Sequence, residues 1–293
     1  MYILSCESTA DLTKEHFDSR NIKYVCFHYA ISGKEHFDDL GASIPFEEFY
    51  NQIGKGVEVR TSQVNIDEYV AFWTPFLEQG KDIIHVSLSS GLSGGINSAR
   101  NAARILKEQF PERKIWTIDS LGASSGYGML MDCAADRRDE GYSAEQLVEW
   151  IESNKLKIHH WFFSTDLSSY VRGGRLSKAA AVFGGALKIC PLLNMNSKGQ
   201  LIPKDKIRTK KRVVQEIAAR IEQYADNGLD YSGKVYISHS DCYEDAKEVA
   251  ELIEQRFKKM SGKVEIYWVG TTIGAHTGPG TVAMYFFGNE RTE

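Results

Sequence analysis

Over its first 120 residues the chain alternates short β-branched and aromatic runs, at 2–6, 23–31, 82–88 and 114–118, with longer stretches of helical period. That alternation constrains the fold most, because strands joined through helices return to one sheet as parallel neighbours. Asn65 with Glu68 is a capping-box pair opening a helix that Gly80 stops; 94–109 repeats apolar residues at three- and four-residue steps; Ser143 with Gln146 starts a further helix to 153. The second half reads differently. Strand-like runs at 161–165, 188–195, 201–207, 235–240, 264–269 and 281–287 have few helices between them, and Asn196-Ser197-Lys198-Gly199 is a hairpin turn signal. The expected fold is α/β in two domains: a mostly parallel, Rossmann-like N-terminal sheet over 1–158, and a C-terminal α+β domain over 159–293 with a mixed or antiparallel sheet.

Charge and cysteine content narrow the function. With 35 Lys+Arg against 39 Asp+Glu the net charge is −4, which argues against a dedicated nucleic-acid binder. Residues 1–158 hold 16 basic and 24 acidic side chains and 159–293 hold 19 and 15, so the two halves are electrically complementary, which reads either as attraction that helps them close over a cleft or as a solvated mixture of surface charge. The five cysteines include no C-x-x-C pair, which points away from a disulfide framework or zinc ribbon and towards a reducing cytoplasm. The first residues reach an acid at Glu7 without a basic leader and read as a first strand. No apolar run approaches the ~18 residues of a membrane span.

Ser87-Leu88-Ser89-Ser90-Gly91-Leu92-Ser93-Gly94-Gly95 lies between an apolar strand and a strong helix. As a G-x-S-x-G elbow it presents Ser93 as a nucleophile, with Asp119 and His276 following in hydrolase order, which describes a serine esterase or lipase. As an anion cradle it uses glycine backbone and helix N–H groups to hold a carboxylate or phosphate, with no nucleophile. A plain helix cap is the third reading. The Ser89-Ser90 pair separates strand from Gly91, unlike an elbow. Thr61-Ser62-Gln63, in a polar stretch before the Asn65 helix, adds hydroxyl and amide donors. The small-residue crossing from Asp119 to Gly128 emerges at the same carboxyl edge, where doubly wound sheets bind ligands.

Gly274-Ala275-His276-Thr277-Gly278-Pro279-Gly280 puts one histidine in an irregular loop, which favours a site residue over a core one. The histidines show no metal-ligand spacing, so no metal and no cofactor are expected. Arg172-Gly173-Gly174-Arg175 and the basic run 204–212 carry most of the second half's positive charge, as solvated faces or as docking points for phosphate or an acidic partner.

Taken in order, Glu7-Ser8-Thr9-Ala10-Asp11, Thr61-Ser62-Gln63, Ser90-Gly91-Leu92-Ser93-Gly94, Asp119-Ser120, Arg172-Gly173-Gly174-Arg175 and His276-Thr277-Gly278-Pro279-Gly280 resemble the DegV family of bacterial fatty-acid-binding proteins, from about Ser5 to Gly288. The branch most similar is the lipid-carrying subunit of the fatty acid kinase system. Glu7, Val64 and Cys190 depart from common family residues; the Cys190 segment matches the Arg-Gly-Gly-Arg branch. The resemblance implies a cytoplasmic, non-catalytic protein holding one long-chain fatty acid between two domains, taken up at a membrane surface and presented to a kinase subunit that makes the acyl phosphate. It implies that Thr61, Ser93 and His276 hold the carboxylate with Ser62 and Gly94 beside them, and that Arg172 and Arg208 meet the kinase or the new phosphate. A lid is expected at 179–186, where small apolar residues surround Gly184-Gly185.

Overall fold

The computed structural model describes residues 1–177, 179 and 189–293; the expected lid, apart from Ala179, lies outside them. The first half runs β1 (Tyr2–Glu7), α1 (Lys14–Ser19), β2 (Ile22–Val25), β3 (His28–Ile31), β4 (Lys34–Phe37), α2 (Phe46–Gly54), β5 (Val59–Ser62), α3 (Ile66–Glu78), β6 (Asp82–Ser87), α4 (Gly95–Gln109), β7 (Ile115–Asp119), α5 (Ser124–Asp139) and α6 (Ala144–Asn154). The second half runs β8 (Ile158–Ser164), α7 (Ser168–Arg172), β9 (Ile189–Met195), β10 (Leu201–Arg208), α8 (Lys210–Tyr224), β11 (Val235–His239), α9 (Tyr243–Arg256), β12 (Glu265–Trp268), α10 (Thr271–Thr277) and β13 (Thr281–Phe287).

The α/β expectation holds. β2, β1, β6 and β7 form, in that order, a wholly parallel sheet. Its order reverses between β1 and β6, which opens a crevice at their carboxyl ends. The second sheet, β10-β9-β8-β13-β11-β12, is antiparallel except for the β11–β12 pair. The hairpin expected at 196–199 joins β9 to β10. α8 and α9 cover one face of this sheet with Val213, Ile217, Ile221, Val249 and Ile253 against Trp161, Phe163, Ile237 and Met284.

The other face meets α5, which also touches β1 and so lies between the two sheets. Eleven of its residues are buried, polar Ser124, Ser125 and Asp132 among them, as befits a helix enclosed on all sides. Its small residues serve this packing: a Cβ on Gly126 would lie 2.4 Å from His160 Nε2, and one on Gly128 would lie 2.4 Å from the Ala10 carbonyl oxygen. One apolar core therefore runs from Leu4 and Ile84 through Tyr127 to Phe162, Leu193 and Tyr285. Attraction between the halves has a local counterpart here, since Lys234 pairs with Asp132 and Asp136, and Tyr236 donates to Asp132 Oδ2 at 2.8 Å.

The expected strand at 23–31 departs from the reading. The single strand at 23–31 is two, because Phe27 N–H donates to Ser8 Oγ and its carbonyl accepts from Asp38 N–H, taking its backbone out of the ladder. β3 then turns back at Ser32 (φ 52°) and Gly33 (φ 76°) and joins a separate antiparallel sheet, β4-β3-β5. Two successive positive φ values are what a tight two-residue hairpin needs. α10, from the far end of the chain, packs on β3, β5 and α2 and so brings His276 to Thr61.

Candidate functional site

The carboxyl ends of β1 and β6 meet at Glu7, whose side chain is fully buried. Oε1 accepts from Tyr69 Oη at 2.7 Å and faces His85 Nε2 at 3.2 Å; Oε2 accepts from Leu88 N–H at 2.9 Å and Tyr127 Oη at 2.8 Å. Burial pushes this carboxyl up, but the bonds from His85, Tyr69 and Tyr127 outweigh it and hold the group below its ordinary value. Glu7 thereby anchors the loop that leaves β6. Ser89 donates its N–H to the Gly122 carbonyl at 3.0 Å and its hydroxyl to the Gly199 carbonyl at 2.9 Å, and its own carbonyl receives the N–H groups of Leu92 and Ser93. Gly91 lies under the β9–β10 turn, where a Cβ would come within 2.6 Å of the Gly199 carbonyl oxygen.

Beyond this loop opens a cavity of about 620 Å³, within the size range of small-molecule sites. Phe27, Leu92, Phe162, Met195, Leu201 and Ile273 supply apolar wall. Thr61, Ser62, Ser93, Gly94 and His276, the five residues expected at a carboxylate, all line it. Thr61 and Ser62 stand on β5 rather than in a loop, so their side chains point to opposite faces; Thr61 is half-buried and Ser62 exposed. His276 belongs to α10, with the expected turn following at Gly278 (φ 67°) and Gly280 (φ 87°).

His276 Nε2 lies 2.7 Å from Thr61 Oγ1, and Nδ1 lies 3.3 Å from Arg175 Nη1. Burial, then the neighbouring Arg175 cation, lowers its pKa to about 4, so the ring is neutral near pH 7. Ser93 Oγ accepts the N–H of Gly95, the first residue of α4, at 3.2 Å, and its hydroxyl proton has no acceptor among the described residues. Gln63 Nε2 donates to Ser98 Oγ at 3.0 Å, and its Oε1 lies close enough to Gly94 to be 3.1 Å from a Cβ there. The cluster sets the Thr61 and Ser93 hydroxyls, the Gln63 amide and the neutral His276 ring on the lining of one cavity, together with the half-buried Arg175 guanidinium.

The esterase alternative is not assembled. Both nitrogens of His276 are taken, by Thr61 and Arg175, and Asp119 Oδ1 accepts instead from the N–H groups of Ser90 and Leu121. A serine hydrolase needs its base on the nucleophile and its acid on the base. Arg172 and Arg208 lie outside the cavity lining, exposed; Arg172 Nη2 donates to Ser169 Oγ at 3.0 Å and Arg208 ends β10. Among the described residues no group of His, Cys, Asp or Glu is arranged to hold a metal ion. Sequence reading singled out Arg172 and left Arg175 unassigned; the signal was Gly173-Gly174 between them, since a side chain at Gly173 would collide with His276. His160 also lines the cavity, on the face of β8 opposite to His159, as adjacent strand residues must be.

The family model described as "Uncharacterised protein, DegV family" matches residues 4–289. The chain belongs to the DegV family. A DegV domain-containing protein of Clostridium perfringens is 32% identical over 290 residues, 99% of this chain and 98% of that protein. Among solved structures, DegV of Bacillus subtilis, a fatty acid binding protein, is 25% identical with TM-score 0.84, over 98% of this chain and 99% of that one. The Streptococcus pneumoniae Fatty Acid Kinase (Fak) B3 protein, loaded with linoleic acid, shares the DegV fold at TM-score 0.84 and 22% identity, over 99% of this chain and 100% of that one. No described helix is long and apolar enough to cross a membrane.

Proposed function

We propose that this DegV protein binds one long-chain fatty acid in the cavity, between units 1–158 and 159–293. The acyl chain lies among Phe27, Phe162, Met195, Leu201 and Ile273, and Thr61, Ser93 and His276 hold the carboxylate, with Ser62 and Gly94 at the rim. The observation that supports the reading is that Thr61 from β5, Ser93 from the β6–α4 loop and His276 from α10 line one otherwise largely apolar cavity, with His276 Nε2 2.7 Å from Thr61 Oγ1. Burying ~14 methylenes at about 0.8 kcal/mol each offers roughly 11 kcal/mol before the costs of ordering the chain. A carboxylate left unpaired there would cost several kcal/mol, which the donor cluster offsets.

The same reading gives the protein no chemistry of its own. It takes up its ligand at a membrane surface in the cytoplasm and presents the carboxylate to an ATP-dependent kinase subunit, which converts it to the acyl phosphate. Arg172 and Arg208, exposed outside the cavity, are the residues for the kinase or the phosphate. Native mass spectrometry of the purified protein, followed by denaturation and lipid identification, tests the binding step. An added mass of one fatty acid is the expected result, and an empty, stable protein that takes up no palmitate overturns it. For presentation, incubation of the loaded protein with a fatty acid kinase subunit and ATP should yield acyl phosphate, and Arg172→Ala with Arg208→Ala should slow its formation while leaving ligand bound.

A further inference from the structure

The ring proton of His276 is placed by Arg175, which lines the same cavity. Arginine carries N–H donors and no acceptor. Arg175 Nη1, 3.3 Å from His276 Nδ1, therefore needs that nitrogen bare, and the single proton of the neutral ring goes to Nε2. Nε2 faces Thr61 Oγ1 at 2.7 Å. With Nε2 donating, Thr61 gives a lone pair to histidine and keeps its own O–H proton for another acceptor. In the opposite tautomer an Nδ1–H would point at a guanidinium N–H, Nε2 would take the Thr61 proton, and the cavity would meet only threonine lone pairs. An anion is attracted by the first arrangement and repelled by the second.

Arg175 is itself fixed. Its Nε donates to the Leu92 carbonyl at 3.1 Å and its Nη1 to the Gly173 carbonyl at 2.6 Å, so the guanidinium ties the β6–α4 loop to the turn after α7. We propose that Arg175 is a positioning residue for the bound carboxylate: it selects the Nε2–H form of His276 and so makes the Thr61 hydroxyl a donor into the cavity. The identity of the anion rests on the fatty-acid reading above, whereas the tautomer is measurable without any ligand.

The test is long-range ¹H–¹⁵N NMR of delipidated protein labelled at histidine, near pH 7, with the His276 signals assigned by their loss in His276→Gln, alongside palmitate titration. Wild-type protein is expected to show a pyrrole-type Nε2 and a pyridine-type Nδ1. Arg175→Met should populate the other tautomer and weaken palmitate binding at least tenfold. Arg175→Lys, still a donor without an acceptor, should keep Nε2–H and most of the affinity. An Nδ1–H ring in wild-type protein overturns the proposal, as does an Arg175→Met protein that loses affinity with its tautomer unchanged or changes tautomer with its affinity intact. Because Arg175→Met also releases two carbonyls and can disturb folding, the wild-type spectrum and Arg175→Lys decide independently of it: Arg175→Lys with an Nδ1–H ring and full affinity sinks the idea. A wild-type Nε2–H ring in a protein that binds neither palmitate nor other fatty acids upholds the tautomer selection and overturns the fatty-acid reading instead.

Discussion

A methyl group on the Cα of Gly173 would sit 2.3 Å from Nδ1 of His276. The imidazole cannot retreat freely, since Thr61 and Arg175 engage its two nitrogens. Gly173→Ala must therefore push the ring off Thr61 or distort the turn whose carbonyl receives Arg175. Overpacking of this kind costs about 1–3 kcal/mol. The fold should survive, with fatty acid affinity down about tenfold in a fluorescent fatty acid displacement assay. Unchanged affinity would show that His276 is not seated as the structure places it.

Among the described residues Ser93 has a single local duty, accepting the Gly95 N–H at 3.2 Å, and a hydroxyl proton left to give. Ser93→Ala removes a donor from a buried carboxylate, worth about 1.5–3 kcal/mol for a bond to a charged group. Fatty acid affinity should fall roughly ten- to a hundredfold by titration. Hydrolysis of a p-nitrophenyl acyl ester should be absent before and after the change. Turnover in wild-type protein that disappears in the variant would restore Ser93 as a nucleophile.

Glu7 has four donors arranged on it in a fully buried position, at the point where the parallel sheet reverses its order. Glu7→Ala leaves the Leu88 N–H, the Tyr69 hydroxyl and His85 Nε2 without this acceptor, while the Tyr127 hydroxyl turns to the Val86 carbonyl alone. Breaking a buried pair by removing one partner costs about 3–5 kcal/mol. Urea unfolding should register that loss, and amide exchange should speed up first at Leu88 and in the loop after it. A loss below about 1 kcal/mol would mean that Glu7 does not organise the loop.

The parallel sheet was legible because each strand is a compact apolar run with helical period beside it, and the capping boxes at Asn65 and Ser143 are both formed. The small sheet was not, because its strands are four residues long and its turn, Ser32-Gly33, lies just beyond a run that reads as one strand. The crossing from Asp119 to Gly128 announced α5, but its extent was hidden for a different reason: a helix largely buried has no polar stripe to betray its period. Thr61, Ser93 and His276 were found by motif, but their meeting depends on α10 packing against β5, a contact between the two ends of the chain that spacing does not encode. Arg175 escaped because an arginine in a basic, glycine-containing stretch looks like solvated surface until its hydrogen bonds to Leu92, Gly173 and His276 are seen.

His239 gives the fold a measurable acid response. Its ring is buried, 4.3 Å from the Trp268 ring centroid, and Nδ1 accepts the Cys242 N–H at 3.4 Å. Burial lowers its pKa to about 4, against about 6.5 for the unfolded chain. Between those values the unfolded state binds the proton and the folded state does not, so stability is full above pH 6.5 and is lost as pH falls towards 4. His276 shares the direction, while buried Asp11 and Asp38, whose carboxyls burial pushes up, work the other way and gain stability as pH falls. The whole-protein curve therefore mixes signs, and a single substitution isolates one. His239→Asn keeps an acceptor for the Cys242 N–H without a titrating group. Wild-type protein should lose about 3 kcal/mol more than this variant between pH 7 and pH 4 in urea unfolding, as a shift of two to three pKa units requires. Parallel curves would mean that His239 takes up its proton in the folded state as readily as in the unfolded one.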